Sequence, residues 1–165
     1  ELASRIAVND PTRAGREMAE VEAVARQALS EVRDAVGGYR RPTLGAEVAN
    51  ARAALAAAGI DAEVAADGLT IRSDLDETLG WVLREAVTNV VRHSGAKRCV
   101  VEAVSDGGGV RLEVVDDGLG RASAVNLGHG LTGARERLAA VGGTLELANA
   151  PGRGFRVLAR VPSRP

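Results

Sequence analysis

Between Leu79 and Val90 the chain carries Leu79, Val82, Leu83, Ala86, Val87 and Val90, a spacing that commits one face of a helix to a buried core. A neighbouring face is polar. Glu85 and Asn89 stand four apart and Arg92 and His93 continue the row a turn later, so a carboxylate, an amide and two potential cations project together. Most such rows are solvated helix surfaces. This one opens late on a helix crowded with Val and Ala, and Ser94-Gly95 ends it before a strand-like run. A Glu-x-x-x-Asn pair alone is weak. It gains meaning from a second element, DDGLG at 116–120, because a site for a triphosphate and its metal needs oxygen ligands for the metal and cations for the phosphates.

A chain of 165 residues is long enough for one domain with a real core and room for an appendage. Its formal net charge of −1, with acids and bases interspersed, disfavours a nucleic-acid surface. The single cysteine, Cys99, lies in an apolar run and has no intrachain partner, which fits a reducing cytoplasm. No apolar run approaches the roughly 18 residues of a membrane span, and no signal peptide opens the chain. The sequence starts at Glu1 inside what reads as helix, without methionine or cap, and reads as a piece of a longer protein. Twenty glycines and few aromatics point to many turns around an aliphatic core.

Residues 1–8 read as the last turns of one helix. Asp10-Pro11 stops it and starts a second, from about Thr12 to Val36, closed by Gly37-Gly38. Ala14, Met18, Val21, Ala25, Ala28, Val32 and Ala35 alternate spacings of four and three, a heptad seam suited to a helical hairpin in a bundle. Tyr39 to Pro42 is a linker. A helix with Leu44, Val48, Ala51 and Leu55 on one face then runs to Gly59, followed by a strand over 60–65, a turn at Asp67-Gly68 and the polar-striped helix from Ser73 or Asp74.

Residues 98–104 and 110–116 read as strands joined by a glycine-rich turn. Val110, Leu112 and Val114 share a face, and Asp116 has the same parity. A carboxylate closing a core-facing row is costly unless hydrogen bonds reach it; a plain Asp-Asp-Gly turn explains the residues equally well. Residues 117–133 read as a long glycine-punctuated loop, the kind that forms a lid. Beyond it, a helix with Leu131, Ala134, Leu138 and Val141 inward starts directly after the glycines, where free N–H groups and the helix dipole favour phosphate. A final hairpin pairs 144–149 with 155–161, with Phe155, Val157, Ala159 and Val161 inward and Arg156 and Arg160 outward.

At three places the chain resembles the DesK-like sensor histidine kinases that pair with NarL-type response regulators. REAVTNVVRHS at 84–94 looks like their N box, DDGLG like their first glycine box and GHGLTGARER at 128–137 like their second. EVRDAVGGYR at 31–40 is similar to the end of their dimerisation and phosphotransfer hairpin. The resemblance implies residues 1–41 as part of that hairpin and 42–165 as a catalytic domain of Bergerat type, an α/β sandwich with a mixed sheet against a helix layer. It implies ATP and Mg2+ as cofactors. Asn89 would ligate the metal, with Glu85 polarising the site or acting as base, and His93 with Arg92 would approach the phosphates. Asp116 would accept from the adenine amino group, Gly118 and Gly120 would let backbone pass close to the base, and Gly128, His129, Gly130, Leu131 and Thr132 would belong to the lid. Phe155 stands where relatives commonly place a threonine. The family's phosphoacceptor histidine lies upstream of Glu1, so the chain is expected to bind ATP without phosphorylating itself. A homodimer through the hairpin, a NarL-type regulator partner, no nucleic acid, no membrane contact by this piece and a cytoplasmic location in a membrane-anchored whole complete the expectation. An anti-sigma-type serine kinase, a gyrase- or MutL-like ATPase and a pure interaction module are the rivals.

Overall fold

The structure is a computed structural model that describes residues 42–66, 68–105, 107–120, 129–150 and 154–162. The chain divides between Arg41 and Pro42 into two units, and all described residues belong to the second. The expected hairpin over 1–41 therefore lies outside the described residues, as do residues 121–128 of the 117–133 loop and 151–153 at the tip of the last turn.

Three helices lie in one layer over a five-stranded sheet. In chain order the elements are α1 (Leu44–Ala57), β1 (Asp61–Ala65), α2 (Ser73–Asn89), a π-helical turn (Val90–Ser94), β2 (Arg98–Ser105), β3 (Gly109–Asp116), α3 (His129–Ala140), β4 (Thr144–Asn149) and β5 (Phe155–Pro162). Strand order is β1-β2-β3-β5-β4, with β1 parallel to β2 and every other pair antiparallel. The sheet is mixed, as expected.

Each boundary has a local cause. Thr43 caps α1, its hydroxyl accepting from the Ala46 N–H at 3.2 Å, while Asp76 of α2 accepts from the Leu44 N–H at 2.8 Å. Gly80 lets the Pro42 backbone pass close to α2: a β-carbon there would crowd the Pro42 carbonyl. At the other end of α1 the chain turns through Gly59 at φ +70°, a conformation that costs glycine nothing.

The apolar stripe of α2 is the centre of the core. Leu79, Val82 and Leu83 are wholly buried, each worth about 1.5–3 kcal/mol relative to exposure. They meet Val110, Leu112 and Val114 of β3 and Val157, Ala159 and Val161 of β5 in one cluster that Val48 and Leu55 of α1 and Leu138 of α3 complete. The alternation over 110–116 holds through its last member, since Asp116 is buried at 5 % exposure.

The opposite sheet face carries charge. Arg111 pairs with both Glu102 and Glu113, and Arg156 (3.4 Å) also reaches Glu113; Arg160 pairs with Glu146 at 2.5 Å. Leu158 sits beneath this lattice, opposite Glu113 and Glu146 in register, and is 2 % exposed although nothing in its alternation marks it for burial.

Candidate functional site

The C-terminal half of α2 supplies the first pair. The Asn89 side-chain amide donates to the Glu85 carboxylate at 3.2 Å, the i to i+4 contact that the spacing implies. The Glu85 carboxyl lies against Gly130 in the first turn of α3, where a β-carbon would overlap it. A carboxylate therefore stands at the N-terminal end of a twelve-residue helix, where it meets the positive end of the dipole. The carboxylate and amide oxygens are hard donors suited to a divalent cation whose remaining ligands come from phosphates and water. Among the described residues no group of three or more His, Cys, Asp or Glu is placed to hold a metal.

The expected row of four does not continue as one α-helical stripe. Beyond Asn89 the helix widens into the π turn Val90–Ser94, which shifts Arg92 and His93 around the axis relative to an α-helical continuation. Both are exposed. The cause lies at the end of the turn: the Ser94 hydroxyl donates to the Val90 carbonyl at 2.7 Å and accepts from the Ala96 N–H at 2.9 Å, and Gly95 closes the helix at φ +64°.

Asp116 is one of three buried polar or charged residues among those described. The other two are satisfied within the fold: Glu47 is paired with Arg84 at 2.6 Å, and Thr78 donates to the Asp74 carbonyl at 2.9 Å. Asp116 accepts from the Gly118 N–H at 2.8 Å, with the Phe155 backbone also contributing, and has no cation partner among the described residues. Burial pushes its carboxyl above the ordinary carboxylate range, the Gly118 hydrogen bond pulls it back, and neighbouring Asp117 raises it again. Gly118 passes so near the Ser94 carbonyl that a side chain would collide, and Gly120, at φ +55°, runs against Gly154. Both glycines are thus required by close backbone approach.

The chain re-enters a helix at the second glycine motif, as its apolar spacing implies: His129, Gly130, Leu131 and Thr132 form the first turn of α3, and Leu131 is buried. Gly128 lies outside the described residues. Gly133 is likewise inside α3, facing open space.

Sequence reading missed Ser94 and Asp117 as parts of the site. Asp117 accepts from the Lys97 and Arg98 N–H groups, each at 2.8 Å, which holds its carboxyl below the ordinary range. The doubled acid in DDG was the available signal. Also missed was Glu47, whose ion partner stands 37 residues away.

A mixed sheet under one helix layer defines an α/β sandwich, in which a buried carboxylate ends a central strand and a Glu–Asn pair lies against a helix N-terminus. Residues 74–165 match the model of the histidine kinase-, DNA gyrase B-, and HSP90-like ATPase family, and the chain belongs to that family. Residues 1–45 match a histidine kinase model. The chain is 36% identical over 153 residues to the sensor histidine kinase DesK of Bacillus subtilis, and 32% identical over 151 residues to YvfT, a sensor histidine kinase of the same organism. These alignments take in 89% and 90% of this chain but 41% of each relative, so the chain spans about two fifths of their length. The solved ATP binding domain of PrrB from Mycobacterium tuberculosis superposes with a TM-score of 0.56 at 28% identity, over 69% of this chain and 90% of that one.

Proposed function

We propose that this chain is the ATP-binding catalytic region of a two-component sensor histidine kinase. It transfers the γ-phosphoryl of ATP to a histidine carried elsewhere in the protein, and thence to a response regulator of NarL type. The observation that carries the reading is Asp116, buried at the end of β3, hydrogen-bonded by Gly118 and paired with no cation among the described residues. An acceptor oxygen so placed suits an exocyclic amine, as adenine presents. Asn89 and Glu85 would hold Mg2+, which would supply positive charge to offset that of the phosphates. Exposed Arg92 would bring a guanidinium and His93 an imidazole toward the same phosphates, and the N-terminal turn of α3 would bring N–H groups.

In this reading residues 1–41 are part of the dimerisation and phosphotransfer hairpin, residues 42–165 are the catalytic domain, and the whole protein is a membrane-anchored homodimer with this region in the cytoplasm. The histidine kinase match over residues 1–45 supports it over an anti-sigma serine kinase or a gyrase- or MutL-like ATPase. No helix among the described residues is long and apolar enough to cross a membrane. Residues 1–45 contain no histidine, and the chain's two histidines, His93 and His129, both belong to the nucleotide region.

Calorimetry with ATP and GTP, each with and without magnesium, tests the site: ATP with magnesium should bind and GTP should not. Equal binding of the two nucleotides would remove the adenine reading. Transfer is tested with γ-labelled ATP: acid-labile, base-stable label should appear only when a hairpin carrying its acceptor histidine is joined to residues 1–165. Such label on the chain alone, abolished by His93→Gln or His129→Gln, would reassign those residues.

A further inference from the structure

The turn that leaves the π segment and the loop that leaves β3 are tied together at several points. The Leu119 N–H donates to the Ser94 carbonyl at 2.9 Å, and Gly118 is pressed against that same carbonyl. Asp117 Oδ1 accepts from the Lys97 and Arg98 N–H groups, while its own N–H donates to the Arg98 carbonyl at 3.2 Å. The β2–β3 ladder ends at the Cys99–Asp116 pair, so the Lys97 and Arg98 N–H groups lie beyond its last rung. Without an acceptor from outside the ladder they would depend on water alone. One carboxylate oxygen serves both.

Asp116 immediately precedes this tie, and the π turn that carries Arg92 and His93 ends in it. We propose that Asp117, with Ser94, is a positioning residue that sets the spacing between the adenine-reading end of β3 and the phosphate-facing end of α2 without touching nucleotide. The proposal rests on the nucleotide reading above. ATP spans both ends, so the second contact is intramolecular once the first is made, and its strength depends on how well the two ends are held in register. Loosening the tie should leave each half of the ligand bound as before and weaken only the ligand that joins them.

The test compares wild type, Asp117→Ala and Asp117→Asn for binding of magnesium ATP, of adenosine and of magnesium tripolyphosphate. Asp117→Ala should lose about tenfold in ATP affinity while adenosine and tripolyphosphate stay within about twofold, the mark of lost effective concentration rather than a lost contact. Asp117→Asn keeps a carbonyl oxygen for both N–H groups and should recover most of the ATP affinity. Equal losses for ATP and adenosine, unchanged ATP affinity in Asp117→Ala, or failure of Asp117→Asn to recover it would each overturn the proposal. Amide hydrogen exchange at Lys97 and Arg98, measured without ligand, reads the tie directly and should accelerate in Asp117→Ala alone. Should the wild type bind no ATP, the nucleotide reading falls and the positioning role with it. The exchange contrast separates that outcome from failure of the tie alone. If Asp117→Ala does not fold, Asp117→Ser, whose shorter side chain cannot serve both donors, takes its place.

Discussion

The Glu85 carboxyl fills the space that a Gly130 β-carbon would occupy, so the first turn of α3 can close on α2 only because residue 130 has no side chain. The carboxyl is also the acceptor for Asn89, which couples the glycine to the candidate metal ligands. Gly130→Ala should displace the flexible end of Glu85 and break that hydrogen bond. Losing a hydrogen bond to a charged group, about 1.5–3 kcal/mol, predicts at least a tenfold fall in magnesium-dependent ATP affinity. Gly133→Ala is the control on the same helix. Its β-carbon would face open space, so it should stabilise the fold by ~0.5–1 kcal/mol in denaturant unfolding and leave ATP binding unchanged. Equal effects of the two variants on ATP binding would separate Gly130 from the site.

Asp116→Asn replaces one acceptor oxygen with a donor and should weaken ATP binding by about tenfold or more. The acid side of the pH profile carries a second signature. Because burial raises the Asp116 pKa, its carboxylate is protonated at a higher pH than a free aspartate, and ATP affinity should begin to fall above the ordinary carboxylate range. For stability the sign is that of a raised group: its favourable contribution is full below the unfolded pKa and lost as pH rises through the folded one. Asp117, held low by the Arg98 and Lys97 N–H groups, has the opposite sign, its stabilisation being present above the unfolded pKa and lost as pH falls. Acid unfolding of Asp117→Asn should therefore be shallower than wild type, and that of Asp116→Asn steeper. Superimposable curves would deny both carboxylates these environments.

Arg84 joins three helices. It pairs bidentately with Glu47 of α1 and lies 4.9 Å from the Trp81 ring centre, whose ring also meets Arg137 of α3 at 4.9 Å. Glu47 is only 4 % exposed, so Arg84→Ala leaves a buried carboxylate that still accepts from the Asn50 side-chain amide at 3.2 Å. Breaking a fully buried pair costs 3–5 kcal/mol; with Arg84 itself partly exposed, about 2 kcal/mol is expected in denaturant unfolding. Glu47→Leu combined with Arg84→Met removes both charges and should recover most of it. A double variant as weak as Arg84→Ala would show that the charge pair is not the cause.

These tests also mark which parts of the molecule were legible in sequence. The α2 core face, the β3 alternation to Val114 and the Gly59 and Gly95 stops were readable because they follow from helix and strand periods and from backbone chemistry local to each segment, whereas parity alone left Asp116 open between a buried carboxylate and a plain turn. The π turn was not, since it depends on the Ser94 hydroxyl and on the tie to Leu119 some 25 residues on. Leu158 was hidden because its partners in register are Glu113 and Glu146, residues that read as solvent-facing. The helix at the second glycine motif was readable from its apolar spacing, but the reason for glycine at 130, the approach of Glu85 from another helix, was not. The Glu85–Asn89 pair was brought together as expected; Arg92 and His93 were displaced by the turn that the sequence did not announce.

Cys99 offers a probe of the same site from beneath. It is wholly buried, directly across from Asp116 in the β2–β3 ladder, and burial with the nearby Asp116 and Asp117 charges pushes its thiol up to about 12. The thiolate is the reactive species, so at pH 8 a disulfide reagent should modify the folded chain only through openings that expose β2. Any opening that frees Cys99 from β3 also dismantles the end of the strand that carries Asp116. Ligand held by Asp116 must dissociate first, which makes labelling a binding assay: ATP at a hundred times its Kd should slow modification about a hundredfold, the factor expected when only the closed state binds. The measurement is the labelling rate against ATP concentration at fixed pH, with Asp116→Asn needing correspondingly more ATP for the same protection. Rapid labelling of the folded chain that ATP does not slow would place the nucleotide away from β3 and Asp116.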